Sequence, residues 1–261
     1  MSMALPLRYI ALFICVLLYS GCNRDNAGPD EQDPIANLRS QQCANVTGME
    51  ALHWDLFNSI PRGDIPGGLP TVRNVGGHFI HSGYPGLGFS FPAGYQAFEL
   101  RDNATQTIGV DVVRNDSRAV WRYMTTTFFG VTNADQVVQA EINQMLDFLG
   151  NPGNVQVICS SGGTQQMTST MTNTGRALLI RTGGFSALIG VTVTAEQSGG
   201  GMSFIAIQLC LAPTSEYDAV ALEAFLPIMW QLLYREGSWR DSDGDGVPDH
   251  LDNFPNDPTR S

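Results

Sequence analysis

Five aspartates crowd into twelve residues near the C-terminus, Asp241, Asp243, Asp245, Asp249 and Asp252, in the run DSDGDGVPDHLDN. Without a cation these carboxylates repel one another. Their spacing supplies oxygens at positions 1, 3, 5, 9 and 12 of a loop, with the Val247 carbonyl at position 7, and such a set wraps a Ca²⁺ ion. Gly246 stands at position 6, where the chain must turn sharply. Hard carboxylate ligands with no thiol or imidazole among them select Ca²⁺ over Zn²⁺. Pro248 and Pro255 preclude the regular exiting helix of an EF-hand, and position 12 is Asp rather than Glu. A lone extracellular site of this kind binds calcium weakly, on the order of 10⁻⁴ to 10⁻³ M.

Elsewhere the chain offers little recognisable chemistry. All 14 basic residues are Arg, so Walker-type phosphate loops, Schiff-base enzymes and kinase-type nucleotide sites are excluded in their Lys-dependent forms. There is no Gly-x-Ser-x-Gly, His-Glu-x-x-His or Cys-x-x-Cys motif. His78-Phe-Ile-His81 is the best imidazole pair, but the glycines around it predict extended chain, where residues three apart point to opposite sides. His53 lies beside Trp54 on a predicted helix and reads as packing. Glu99, Asp111 and Glu196 alternate with apolar residues on predicted strands, as on a solvated face. Trp121, Arg122 and Tyr123 put an aromatic pair and a surface charge on opposite faces of one strand. A net charge of −11, with pI about 4.6, disfavours a nucleic-acid partner.

The elements that must position these groups follow from periodicity. Residues 47–50 fit a capping box, after which Met49, Leu52, Leu56, Phe57 and Ile60 recur at helical spacing until Pro61. Residues 62–88, dense in Gly and Pro, predict a long irregular loop. Strand-like runs follow at 88–92, 95–101, 107–114 and 119–129, and again at 155–160, 166–171, 177–181, 186–196 and 202–212. Asn133 caps a helix between the two groups, with Val138, Ile142, Met145 and Leu149 as its apolar stripe. A hairpin tip is predicted at 198–201. A final helix opens at 215–218, with Val220, Leu222, Phe225, Met229, Leu232 and Leu233 mostly inward and a kink at Pro227. This order predicts an α+β fold, an antiparallel sheet with helices packed on one face.

The N-terminus reads as an export signal: Arg8, then an unbroken apolar run at 10–18 about half as long as a membrane span, then Ser20, Gly21 and Cys22. Residues 23–40 are polar and Pro-containing, a tether. Export permits a disulfide, and Cys43, Cys159 and Cys210 allow one bond and one leftover thiol, with the pairing open.

Three resemblances attach to these residues. Ser20-Gly-Cys22 resembles the lipobox of bacterial lipoproteins, with Tyr19 where Leu is usual; the resemblance implies cleavage before Cys22 and lipidation of that residue. Asn23 stands where an inner-membrane retention signal would place Asp, which favours the outer membrane. Residues 241–253 are similar to a thrombospondin type 3 repeat, Asp-x-Asp-x-Asp-Gly-x-x-Asp-x-x-Asp-Asn, lacking only the Cys common after that Asn, where Phe254 stands. Family members stack several copies and serve adhesion, whereas here one copy stands at the end of the chain. In outline and in the segment Phe89-Ser-Phe-Pro-Ala-Gly94, the central part resembles PsbP-like domains, which implies a non-enzymatic binding or assembly module.

The expected organisation is therefore a signal peptide at 1–21, a lipid-anchored tether at 22–40, an α+β domain at 41–237 and a calcium-binding tail at 238–261. The expected function is a non-catalytic binding or structural module. It is held to the membrane through lipidated Cys22, with an envelope protein or surface ligand as partner and no nucleic acid. The alternatives are an exported hydrolase of unrecognised type, using His78, His81 and neighbouring acids with calcium as stabiliser, and a calcium-dependent adhesion protein.

Overall fold

The computed structural model describes Cys43 and residues 46–58 and 71–233. The expected signal peptide at 1–21, Cys22, the expected tether and the whole Asp241–Asp252 motif, including Asp243, Asp245, Val247 and Asp249, lie outside the described residues. The elements are α1 (Gly48–Phe57), β1 (Val75–Ile80), β2 (Gly88–Pro92), β3 (Tyr95–Asp102), β4 (Thr107–Arg114), β5 (Val120–Phe128), α2 (Ala134–Phe148), β6 (Gln156–Gln166), β7 (Met171–Thr182), β8 (Phe185–Glu196) and β9 (Met202–Pro213). A closing helical stretch comprises α3 (Tyr217–Val220), a π-turn (Ala221–Phe225) and α4 (Leu226–Leu233).

Strands β3 to β9 form one seven-stranded antiparallel sheet in the order β3-β4-β5-β9-β8-β7-β6, and β1 and β2 form a separate hairpin. Two meanders, β3–β5 and β6–β9, meet where β5 pairs with β9. The alternation of directions leaves β5 and β6 parallel with three strands between them, so their connection must cross the sheet, and α2 makes that crossing. Its start is fixed by a reciprocal cap: Asn133 Oδ1 accepts from the Gln136 amide at 3.0 Å, and Gln136 Oε1 accepts from the Asn133 amide at 3.3 Å. The predicted stripe is the face α2 buries: Val138, Ile142 and Met145 are buried and Leu149 half-buried, against Ile180, Ile189, Val191, Ile205, Ile207 and Leu209 of the sheet.

The antiparallel α+β architecture is as the element order predicts, but the helices occupy both faces of the sheet rather than one. The opposite face carries α1, the closing helical stretch and the β1–β2 hairpin, packed on Val110, Val112, Trp121, Leu179, Leu188 and Cys210. Strict alternation makes this possible: in β8, Ala187, Ile189, Val191 and Val193 belong to the α2 side, while Leu188 belongs to the other. The domain is thus three layers deep.

Other expectations are corrected. Helix α1 does not bury a single stripe; Leu52, His53, Trp54 and Asp55 are all buried in succession. Leu52 meets Leu226 and Met229 of α4, whereas Trp54 belongs to the sheet core, so two layers enclose the helix. Within the predicted 62–88 loop, Val75–Ile80 is a strand paired with β2. Its glycines are there for close approach: a Cβ on Gly77 would stand 2.6 Å from the Phe91 ring, and one on Gly76 2.6 Å from the Pro92 carbonyl oxygen. Residues 167–170 are the turn between β6 and β7 rather than part of a strand; the Thr168 hydroxyl accepts from the Met171 amide at 3.0 Å. Leu222 points out, with 49% of its surface exposed. The irregularity expected at Pro227 is a π-turn just before it, where the Leu226 amide donates to the Ala221 carbonyl five residues back. The 198–201 tip is as predicted, and it needs its glycines, since Gly199, Gly200 and Gly201 all have positive φ (65°, 101° and 83°).

The disulfide joins Cys43 to Cys159, with Cα atoms 4.8 Å apart, and leaves Cys210 free and buried. Sheet register explains why Cys210 is not the partner of Cys159. Val112, Trp121, Cys210, Leu188, Leu179 and Cys159 lie side by side in one row across β4, β5, β9, β8, β7 and β6. Cys159 and Cys210 are therefore three strand spacings apart, about 14 Å, beyond disulfide reach.

Candidate functional site

The same register builds a site on the face that α1 only partly covers. One pleat from the cysteine row towards the hairpin tips, the row reads Tyr123, Gln208, Gly190, Ala177 and Ser161; the next reads Thr125, Ala206, Thr192, Gly175 and Gly163. Large apolar side chains give way to small or neutral polar ones. The result is a cleft of about 250 Å³ whose lining includes Phe57, Asn58, Tyr123, Ser161, Thr192 and Gln208.

The end of α1 forms one wall. Phe57 drops its ring into the notch at Gly190, so tightly that a Cβ there would lie 2.0 Å from the ring's Cζ. Asn58 Oδ1 accepts from the Ser161 hydroxyl, and the Asn58 amide and side chain both donate to the Trp54 carbonyl, at 3.0 and 2.9 Å. Further out the floor is open: among the described residues nothing lies within 4 Å of a Cβ built on Gly163 or Gly175.

From β5 to β6 the floor carries no charged side chain in these two rows. Arg176 borders the cleft, but its guanidinium belongs to the other face, where it pairs with Asp135 of α2. Burial pushes the Tyr123 phenol up to about 12, so it stays a neutral hydroxyl over the working pH range. The arrangement offers hydroxyls and amides that both donate and accept, beside two aromatic rings.

The residues expected to do chemistry lie elsewhere. His78 is exposed, with Nδ1 2.9 Å from the Ser90 hydroxyl. His81 is buried; Nδ1 accepts from the Gly83 amide at 3.1 Å, and Nε2 faces the Leu100 carbonyl at 3.2 Å. The two imidazoles thus point apart, as extended chain requires. Glu99 and Asp111 are on opposite faces, because Glu99 pairs with Val110 and Asp111 with Phe98. Glu99 accepts from the Ser82 amide and hydroxyl, which hold its carboxyl below the usual range. Glu196 is likewise lowered, first by the Thr170 side chain and then by Ser198.

Asp111 and Arg122 are not the solvated charges the sequence predicts. Arg122 forks onto Asp111 at 2.7 and 2.8 Å and reaches Glu141 and Gln144 of α2, each at 2.8 Å. Burial raises the Glu141 carboxyl, opposed by Arg122. This network bolts α2 to β4 and β5. His53 is wholly buried among Phe57, Tyr217 and Phe225, with Nδ1 3.0 Å from the Tyr217 hydroxyl, a partner the sequence did not reveal. Burial lowers its pKa to about 3, so it is neutral. Among the described residues, no three His, Cys, Asp or Glu are grouped to hold a metal ion.

Sequence reasoning missed the cleft, although its signal is visible. In β8 and β9 one alternating set is β-branched and apolar, Ile189, Val191, Val193, Ile205 and Ile207. The other set is Gly190, Thr192, Ala206 and Gln208. No protein-family model matches the chain, and no curated protein matches it at a significant level.

Proposed function

We propose that this protein is an exported lipoprotein held to the cell envelope, with the outer membrane as the favoured site, through lipidated Cys22. Its α+β domain, resembling PsbP-like domains in outline, is a non-catalytic binding module, and its C-terminal tail is ordered by Ca²⁺. The observation that carries the binding reading is the neutral cleft floored by Gly190, Ala177, Gly175 and Thr192. Such a surface can hold a ligand through hydroxyls and amides, and among the described residues its two rows present no acid–base pair. The calcium reading is supported by the Asp241–Asp252 spacing, and the anchor by the Ser20-Gly-Cys22 sequence.

Two measurements test the parts separately. Cys22→Ser in the full chain should move the protein from the membrane fraction to the soluble one; unchanged partitioning refutes the anchor. Calorimetric titration of Ca²⁺ should show saturable millimolar-range binding that disappears when Asp243 and Asp245 are changed to Asn. No heat at millimolar calcium refutes the ion site.

A further inference from the structure

The geometry points to a neutral saccharide as the ligand of the cleft beside α1, held on the floor formed by Thr192, Gln208 and Gly175 against the wall of Phe57 and Tyr123. This inference rests on the binding-module reading above and names its ligand class. Three features carry it.

The floor is centred on β9, β8 and β7, each paired on both sides within the sheet, and only its rim reaches β6, the last strand in the order. An extended peptide adds to a free strand edge through its backbone, and this floor offers side chains instead. Those side chains are hydroxyls and amides: Tyr123, Thr192 and Gln208 can each both donate and accept, beside Ser161 and Asn58, which already bond each other. A ligand made of hydroxyls has the same dual character. No formal charge faces the cleft from these rows in a chain of net charge −11. An ionic ligand would lose its hydration there without gaining a counter-charge.

Aromatic rings at the wall and flat small residues on the floor suit a ring with an apolar face and a polar rim. Phe57 and Tyr123 offer ring surface, while Gly175 and Ala206 leave depth below it. The volume of about 250 Å³ falls short of the ~300–1,000 Å³ typical of drug-sized pockets, and so fits one or two sugar rings rather than a large ligand.

The test uses the full chain and calorimetric titration of three neutral trisaccharides, cellotriose, maltotriose and N,N′,N″-triacetylchitotriose, beside the charged trigalacturonate. Gly175→Leu fills the open floor, and Thr192→Val removes a hydroxyl at constant shape; each variant is first checked for an unchanged urea midpoint. At least one neutral trisaccharide should bind, trigalacturonate should not, and affinity should fall at least tenfold in both variants. Should Gly175→Leu shift the midpoint, Thr192→Val alone decides. The assignment is overturned if no neutral trisaccharide binds, if the charged one is preferred, or if the variants bind like the parent. A neutral Ser/Thr/Gln decapeptide that binds and is lost in the same variants also overturns it, but leaves the binding module standing. Release of reducing ends from any trisaccharide overturns the binding-module reading itself.

Discussion

The contact between Phe57 and Gly190 fixes how α1 seats on the sheet, and one methyl group tests it. In Gly190→Ala the new Cβ would lie 2.0 Å from Phe57 Cζ and 2.2 Å from Cε1, where carbon atoms rest about 3.5–4.0 Å apart. The ring must therefore retreat by roughly 1.5 Å or more. It cannot do so freely, because the next residue, Asn58, is tied to Ser161 and Trp54. Overpacking of this kind costs about 1–3 kcal/mol. Gly190 is not in a positive-φ conformation, so the cost is steric rather than backbone strain. In a Phe57→Ala background the methyl should be neutral, or stabilising by up to about 1 kcal/mol as the strand loses a glycine. A double-mutant cycle in urea, with the disulfide intact, should then return a coupling energy of about 1–3 kcal/mol. If Gly190→Ala costs as much without the Phe57 ring as with it, the seating of α1 described here is wrong.

Four further outcomes follow from the buried groups. His53 has a folded pKa of about 3 against 6.5 in the unfolded chain, so between those values the unfolded state binds the extra proton. Its contribution is complete above pH ~6.5 and declines by at most about 1.4 kcal/mol per pH unit as the pH falls, levelling off near pH 3. The stability difference between the parent and His53→Gln should shrink accordingly in urea titrations from pH 7 to 4; a constant difference refutes the burial argument. Arg122→Met strands Asp111 and Glu141 beneath α2 and should cost about 3 kcal/mol, partly recovered by adding Asp111→Asn and Glu141→Gln. Replacing Cys43 and Cys159 by Ser opens a bridge between residues 116 apart and should lower stability by about 2–5 kcal/mol in denaturant. Cys210 is fully buried and burial raises its thiol pKa, so maleimide should label it, by peptide mass analysis, only as fast as the domain unfolds.

The sequence carried the strand order well because most strands alternate cleanly and the turns between them are marked by Asn, Asp or Gly. The N-cap of α2 was legible at Asn133, since a cap acts locally. Features that depend on a distant partner were not. Nothing near Gly76 and Gly77 announces that Phe91 and Pro92 will press against them, so a strand reads as loop. Asp111 and Arg122 look like surface charges until α2 crosses the sheet and brings Glu141 over them. The cysteine pairing also needed the row across six strands, which fixes the distance from Cys159 to Cys210.

The two faces of the sheet differ in a way that stability alone does not require. Under α2 the positions are Ile180, Ile189, Val191, Val193, Ile205, Ile207 and Leu209, apolar and almost all β-branched, and they are buried throughout. On the other face β7, β8 and β5 begin with Leu179, Leu188 and Trp121, fully buried, and change within one pleat to Ala177, Gly190 and Tyr123, then to Gly175, Thr192 and Thr125. Glycine within a strand costs about 0.5–1 kcal/mol relative to alanine, and Gly175 has no close neighbour among the described residues to demand it. Gly190 is explained by Phe57; among the described residues nothing packs on Gly175 or Gly163 to explain them. A fold anchored by its α2 face and its cysteine row can carry such positions, and what they leave is a shallow uncharged floor beside an aromatic wall. Under the proposed reading, that floor is where the ligand supplies the contacts that Gly175 lacks. If a ligand does rest there, saturating it should raise the urea midpoint of the parent and leave that of Gly175→Leu unmoved.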